Sequence, residues 1–225
     1  MSRLGALTQS LIGKKIIMAV TGVVLVGFLV GHMYGNLKAF QGPEHFNAYA
    51  EGLRTLGAPL FGREHLLWAA RAILLAALLL HLWSAYAVTR ASWAARPQGY
   101  HDLKLIETTY AARTMRWGGV LIFLFVVYHL LDLTFGRLNP GFQPGNVYRN
   151  VIASFQVPIV AGFYMAAMLV LALHLYHGLW SACQTLGLNH PRYNALRRGA
   201  AGALTVIIVG GFLAVPVAVL AGVLR

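Results

Sequence analysis

Long apolar stretches recur five times along the chain, separated by shorter segments that carry most of the charge. A hydrocarbon core of about 30 Å needs roughly 20 apolar residues when the segment is helical. Five stretches meet this length, and we predict transmembrane helices at about residues 15–38, 66–90, 116–136, 157–187 and 199–224. The predicted fold is therefore an all-α integral membrane bundle of five transmembrane helices that forms one domain over residues 1–225.

The composition agrees with a membrane location, because the chain lacks the polar surface that a soluble protein needs. Of its 225 residues, 58% are hydrophobic and 11% are charged, and the mean hydropathy is +0.64. Soluble domains carry about 25% charged residues. No small-residue cleavage site follows the N-terminal segment 1–10, so the first apolar stretch is predicted to be a retained span rather than a signal peptide.

The basic residues between the spans predict the orientation of the bundle. Eleven lysines and arginines lie in the N-terminal segment and in the loops after the second and fourth spans, against six on the opposite side. Because short cytoplasmic loops are enriched in these residues, the N-terminus is predicted to be cytoplasmic. The formal net charge of +12 is expected to face anionic lipid headgroups, and no nucleic-acid partner is expected. The outer loops contain Gly-Pro, Asn-Pro-Gly and Pro-Gly sequences, which predict turns.

Histidine occurs in four consecutive predicted spans. His32 lies in the first, His81 in the second, His129 in the third, and both His174 and His177 in the fourth. Ionisable residues inside a membrane are costly and usually functional. A single one can simply hydrogen-bond a neighbouring helix. One or two in each of four spans instead indicate a shared function.

The positions of these histidines along their helices sort them into two levels, since each helical residue advances about 1.5 Å. By this measure His32 and His129 lie about 25 and 20 Å above the cytoplasmic face. His81 and His177 lie about 14 and 15 Å above it. His174, at about 20 Å, matches His81 less well and is the fallback partner.

Two histidine pairs at two depths are what two bis-histidine b-type haems require, because each iron takes one imidazole from either side of its ring. The chain has one cysteine, Cys183, which rules out a CxxCH haem attachment and a cysteine-ligated iron–sulfur cluster held by this chain alone. The predicted cofactors are therefore two non-covalent haems b. The predicted iron ligands are His32, His129, His81 and His177.

Two further residues are candidates for roles beside the haems. Arg71 lies about 15 Å outward of His81, level with the outer histidines, where it either neutralises a haem propionate or extends to the headgroups. Asp132 lies one turn beyond His129 and is a candidate for proton handling or for a polar helix contact. Glycines beside His32 allow a helix or a flat macrocycle to approach the backbone closely, at Gly27, Gly31 and Gly35.

Several motifs in these spans are typical of a known family. They are Ser10-Leu-Ile-Gly-Lys-Lys, Gly31-His32-Met-Tyr-Gly-Asn36, the Arg71 to His81 span, and His174-Leu-Tyr-His177-Gly178 with the residues that follow to Pro191. Together they resemble the cytochrome b membrane-anchor subunit of succinate dehydrogenases and fumarate reductases, in its single-chain, five-helix, di-haem form (the cytochrome b558 type). The resemblance covers nearly the whole chain, and the His-Leu-x-His-Gly segment is its most specific part.

The resemblance implies an electron-transfer subunit of a succinate:quinone oxidoreductase in the bacterial cytoplasmic membrane. Its implied partners are a flavoprotein subunit, which oxidises succinate, and an iron–sulfur subunit, which docks on the cytoplasmic loops, especially 90–116. Electrons would pass through two haems to menaquinone, with His32 and His129 holding the outer haem and His81 and His177 the inner one. No catalytic residue is expected on this chain, and a higher oligomer of the complex is left open.

One position departs from part of the family. Some fumarate reductases carry a glutamate two residues before the His-Gly dipeptide and use it for proton transfer, whereas this chain has Leu175 there. This difference favours succinate oxidation. Glu51 and Glu64, in the first outer loop, are candidate carboxylates for an outer quinone site, although ordinary loop charges are the favoured interpretation.

Two other functions remain open at this point. The first is the cytochrome b anchor of another respiratory oxidoreductase, such as a hydrogenase or a formate dehydrogenase. The second is a haem-free transporter whose histidines relay protons, although the broken helices and inverted repeats of many transporters are not apparent.

Overall fold

The structure is a computed structural model that describes residues 8–95 and 110–225 of the chain. Within these two ranges all regular structure is helical and there is no strand, which confirms the all-α prediction. The described ranges contain seven α-helices: α1 (Leu11–Leu37), α2 (Pro43–Arg54), α3 (His65–Ala94), α4 (Tyr110–His129), α5 (Val147–Phe155), α6 (Pro158–Thr185) and α7 (Asn194–Leu220).

Five of these helices, α1, α3, α4, α6 and α7, are long and apolar enough to cross a membrane. The chain is thus built as a multi-pass membrane protein, and the five predicted spans are confirmed. The helix α4 continues through a π-helical turn, Leu130–Thr134, which completes the third span. The cytoplasmic location of the N-terminus stays a prediction, and we refer to the start of α1 as the predicted cytoplasmic end.

Local sequence signals fix where the spans begin and end. The Ser10 Oγ accepts a hydrogen bond from the backbone N–H of Gly13 at 3.0 Å, which satisfies one of the free N–H groups at the start of α1. The helix α6 begins with Pro158, whose missing N–H is not needed in a first turn. Beyond its end, Gly187 has a φ of 85°, a conformation that glycine adopts readily and that stops the helix.

The predicted outer loops contain two short helices, α2 and α5. The turns predicted at Asn139-Pro140-Gly141 and Pro144-Gly145 are confirmed and precede α5. Pro43 occupies the first turn of α2 instead of only marking a bend. Asn47 of α2 donates from Nδ2 to Asn146 Oδ1 at 3.1 Å and accepts from the Tyr148 backbone N–H at 3.0 Å. These bonds join α2 to the start of α5 and close the outer end of the bundle.

Two apolar clusters mark the core of the bundle. The first lies where α5, α6 and α7 meet, and the second lies midway along α6 and α7. The helix α1 packs against α3, α6 and α7, whereas α4 packs mainly against α6. Within the described ranges α1 and α4 share few close backbone contacts, and so do α3 and α6. Side chains can therefore meet across these two gaps.

Part of the predicted cytoplasmic surface is not covered by the structure. Three of the eleven basic residues counted on that side, Arg3, Arg96 and Lys104, lie outside the described residues. Most of the loop 90–116, predicted to receive the iron–sulfur subunit, also lies outside them. The remaining basic residues on this side include Lys14 and Arg90, which line an open cavity of about 420 Å³ between α1 and α3.

Candidate functional site

The structure brings His32 of α1 and His129 of α4 together, as their predicted depths required. Their ring centres are 5.7 Å apart and the rings are nearly perpendicular, at 79°. Both side chains are half-buried. Because α1 and α4 hardly touch through their backbones, the two imidazoles meet across a gap between helices. We call these two residues the outer pair.

The second pair differs from the predicted one. His81 of α3 lies against His174 of α6, with ring centres 6.3 Å apart at 61°. The His177 ring lies instead against Trp180 on its own helix, at 6.1 Å. Three residues on a helix correspond to about 4.5 Å of rise and roughly 60° of rotation, enough to direct the two imidazoles to different neighbours. We call His81 and His174 the inner pair.

Backbone and hydroxyl groups of α1 hold the ring of His81. Its Nδ1 lies 3.1 Å from the carbonyl oxygen of Met18 and 3.2 Å from Thr21 Oγ1. The Thr21 hydroxyl also donates to the carbonyl oxygen of Ile17 at 2.7 Å. The ring lies close to Gly22, where a Cβ would be 3.4 Å from His81 Cε1, in van der Waals contact. A metal-binding histidine usually has its second nitrogen fixed in this way.

The partner of His81 carries an unsatisfied polar atom. His174 Nδ1 is buried and has no hydrogen-bond partner among the described residues. An unpaired buried group of this kind costs about 1–3 kcal/mol. A group bound directly at Nδ1 would remove this penalty, whereas a metal bound at Nε2 would leave Nδ1 without a partner.

The number of residues between the two pairs, counted along α1 and along α6, gives nearly the same separation. On α1, His32 lies 11 residues beyond Thr21, which touches His81, and this spacing corresponds to about 16 Å. On α6, Tyr164, which touches His129, precedes His174 by ten residues, or about 15 Å. The pairs are therefore stacked along the bundle.

The residues present fit two bis-imidazole iron sites. Two imidazoles on one metal, each bonded at about 2 Å, have ring centres about 6 Å apart, close to the separation in both pairs. Gly27 and Gly31 have no atom near their Cβ positions, so there is open space beside His32. In the described ranges no three His, Cys, Asp or Glu side chains gather as a metal site, so the arrangement is one of pairs. A structural zinc site would need four ligands.

Comparison with known proteins identifies no family for this chain. No protein-family model, curated protein or solved structure matches the chain.

Aromatic side chains surround the outer pair. Phe28 stacks on His32 with ring centres 5.1 Å apart, and Phe212 approaches the same ring at 5.8 Å. Phe125 lies 5.9 Å from His129. Such an apolar shell restricts water and lowers the local dielectric, which are two of the properties by which proteins tune a redox centre.

Other predicted site residues lie elsewhere. The Arg71 guanidinium packs over the ring of Trp68 at 4.6 Å, and both side chains are exposed. Glu51 pairs with Arg63 at 2.7 Å, and Arg54 lies 3.5 Å from both Glu51 and Glu64. Arg71 is thus engaged on the bundle surface, and the two glutamates belong to an ion-pair cluster in the first outer loop.

Proposed function

We propose that this chain is the di-haem cytochrome b anchor of a succinate:quinone oxidoreductase in the bacterial cytoplasmic membrane. In this role it passes electrons from a cytoplasmic iron–sulfur subunit through two b haems to menaquinone. The observation that carries the proposal is the presence of two imidazole pairs, 5.7 and 6.3 Å between ring centres, at two depths of one apolar bundle. The sequence resemblance supplies the identity of the partners and of the quinone.

The proposed ligands are His32 and His129 for the outer haem, and His81 and His174 for the inner one. The choice of His174 over the predicted His177 is supported by its contact with His81. In this assignment His177, which is also half-buried, packs against Trp180 at the predicted cytoplasmic side of the inner pair.

The chain's own residues would orient and insulate the redox centres. When bound, each b haem supplies a one-electron couple whose potential depends on its axial ligands, hydrogen bonds and burial. The Met18 carbonyl and the Thr21 hydroxyl hold Nδ1 of His81, so that its Nε2 is left for the metal. At the other pair, apolar rings such as Phe28 and Phe125 limit the access of water.

The environment of Leu175 supports succinate oxidation rather than proton-coupled fumarate reduction. The side chain is 4% exposed and belongs to the apolar cluster with Met168, Leu171 and Ile208. None of these residues can carry a proton at the position where some family members have a glutamate. In the proposal, succinate chemistry takes place on the flavoprotein subunit, and this chain serves as anchor, electron carrier and quinone-binding subunit.

The test is the haem content and reducibility of the purified protein. The full chain is expressed with a haem supply and purified in detergent, and haem is measured as the pyridine haemochrome. Two haems b per chain are expected, and His45→Ala, which changes an exposed histidine outside the spans, should keep both. A colourless protein would contradict the proposal and favour the haem-free transporter.

The partner chains are tested in the native membrane. The complex that copurifies with this chain should contain flavin and iron–sulfur clusters, and succinate should reduce its haems. A menaquinone analogue should then reoxidise them. Haems that hydrogen or formate reduces, but succinate does not, would instead assign the chain to another respiratory oxidoreductase.

A further inference from the structure

A buried carboxylate lies beside the outer pair. Asp132 is 1% exposed, inside a span where an isolated charge is costly. Among the described residues its contacts are with hydroxyl groups rather than cations: Oδ2 accepts from Ser154 Oγ at 2.6 Å and from the Tyr164 hydroxyl at 2.7 Å. Short O–H···O⁻ bonds of this kind are stronger than those between neutral groups.

The local backbone directs Asp132 to these partners. The residue lies in the π-helical turn Leu130–Thr134, where the Phe135 N–H bonds the Leu130 carbonyl oxygen five residues back, at 2.8 Å. A π-helical turn inside a span is uncommon and occurs frequently at functional sites. It follows His129 directly and allows Asp132 to meet Ser154 of α5 and Tyr164 of α6.

Tyr164 joins this carboxylate to the outer pair. Its hydroxyl lies 3.4 Å from His129 Nδ1, and Phe125 and Phe155 pack its ring at 5.0 and 4.9 Å. A tyrosine has one hydroxyl hydrogen, and a carboxylate only accepts. The hydrogen of Tyr164 therefore points to Asp132, and its oxygen is left to accept the Nδ1 hydrogen of His129. That direction leaves the free lone pair of His129 on Nε2.

We propose that Asp132 is a positioning residue for the outer redox centre and acts on His129 through Tyr164. The inference rests on the proposed function. The chain of hydrogen bonds fixes the His129 tautomer and draws its Nδ1 hydrogen towards a negative charge, which makes the imidazole a stronger electron donor. A stronger donor stabilises the oxidised iron, so the intact network keeps the potential of the outer haem low.

The experiment is a redox titration of the two haems in the purified holoprotein, compared among three variants. Tyr164→Phe keeps the ring and removes the link to His129, whereas Asp132→Asn keeps the shape and removes the charge. Each should favour reduction of the outer haem by about tenfold. This factor is the lower end of the changes in metal affinity or activity that follow the loss of such supporting groups. This change is about 59 mV for a one-electron couple. The inner haem should keep its potential.

Ser154→Ala is the matched control, because it removes an equally short bond to Asp132 that does not lead to His129. It should leave the outer potential nearly unchanged. Two bound haems with an unaltered outer potential in both Tyr164→Phe and Asp132→Asn would overturn the inference and leave the proposed function intact. A wild-type chain that binds no haem would overturn both.

Discussion

The imidazole of His81 donates its Nδ1 hydrogen to the backbone carbonyl oxygen of Met18, over 3.1 Å. The direction of this bond follows from its acceptor, since a carbonyl oxygen cannot donate. The neighbouring Thr21 hydroxyl donates its hydrogen to the Ile17 carbonyl oxygen at 2.7 Å, so the Thr21 oxygen can also accept from His81 Nδ1. The bond leaves Nε2 with a free lone pair, which is the form of histidine that binds a metal.

This arrangement leaves little room for a side chain larger than a methyl group at Gly22. We expect Gly22→Val to displace the His81 ring, because a Cβ at this position would lie 3.4 Å from Cε1 and the two γ-carbons would extend further. The variant should lose the inner haem and keep the outer one, as measured by the ratio of haem to protein. Gly210→Val, on the exposed face of α7 with no neighbour near its Cβ, is the control and should keep both.

Substitution of the two histidines of α6 is expected to have different effects on haem binding. We expect His174→Ala to remove one of two b-type spectral components, because His174 contacts His81 across the gap between α3 and α6. His177→Ala should keep both components, since that ring contacts Trp180 of its own helix. The measurement is a dithionite-reduced minus oxidised spectrum at low temperature. Loss of a haem in His177→Ala alone would restore the ligand set predicted from depth.

The fold was predictable because its main signal, the length of each apolar run, can be read directly along the sequence. Twenty apolar residues in succession must bury their backbone polar groups in a helix if they cross lipid, and five such runs therefore predict five spans. The short helices were not predictable in the same way. Gly42 and Pro43 read as a turn, yet the same dipeptide starts α2, because proline suits both a bend and the first turn of a helix.

The candidate site could be predicted in part. The helical rise counted from Lys15 and Arg116 predicted that His32 and His129 lie at similar depths, and the structure brings their rings together. The same count favoured His177 over His174, although the two differ by less than one helical turn and the end of α6 was set at Gly187 instead of Thr185. The roles of Tyr164 and Ser154 carried no sequence signal, since the π-helical turn that brings Asp132 to them appears only in three dimensions.

Substitutions in the ion-pair cluster of the first outer loop are expected to have little effect on quinone binding. Glu51 and Glu64 are engaged by arginines and partly exposed, and such pairs contribute only about 0–1 kcal/mol. We expect Glu51→Gln and Glu64→Gln to keep the KM for a menaquinone analogue in the succinate-reducing complex. Glu44→Gln, which changes another acidic residue of this loop, is the control. A large rise in KM for either variant, but not for the control, would place a carboxylate in the quinone site.

Asn150 is expected to stabilise the outer end of the bundle independently of any cofactor. It is 4% exposed, and its side chain makes two bonds to one residue: Oδ1 accepts from the Gln143 N–H at 2.7 Å, and Nδ2 donates to the Gln143 carbonyl oxygen at 2.9 Å. Its backbone oxygen also accepts from Asn139 at 2.9 Å. These bonds attach the loop after the third span to α5.

Asn150→Ala should therefore lower the free energy of unfolding by about 1–3 kcal/mol, since it removes both side-chain bonds and leaves a small cavity. The measurement is the midpoint of thermal denaturation in detergent, followed by tryptophan fluorescence so that it does not depend on haem. Gln156→Ala changes an exposed amide just beyond the end of α5 and should leave the midpoint in place. Equal midpoints for the two variants would mean that the Asn150–Gln143 bonds add nothing beyond what water provides, and that the apolar contacts of Ile152 and Phe155 alone hold α5 in place.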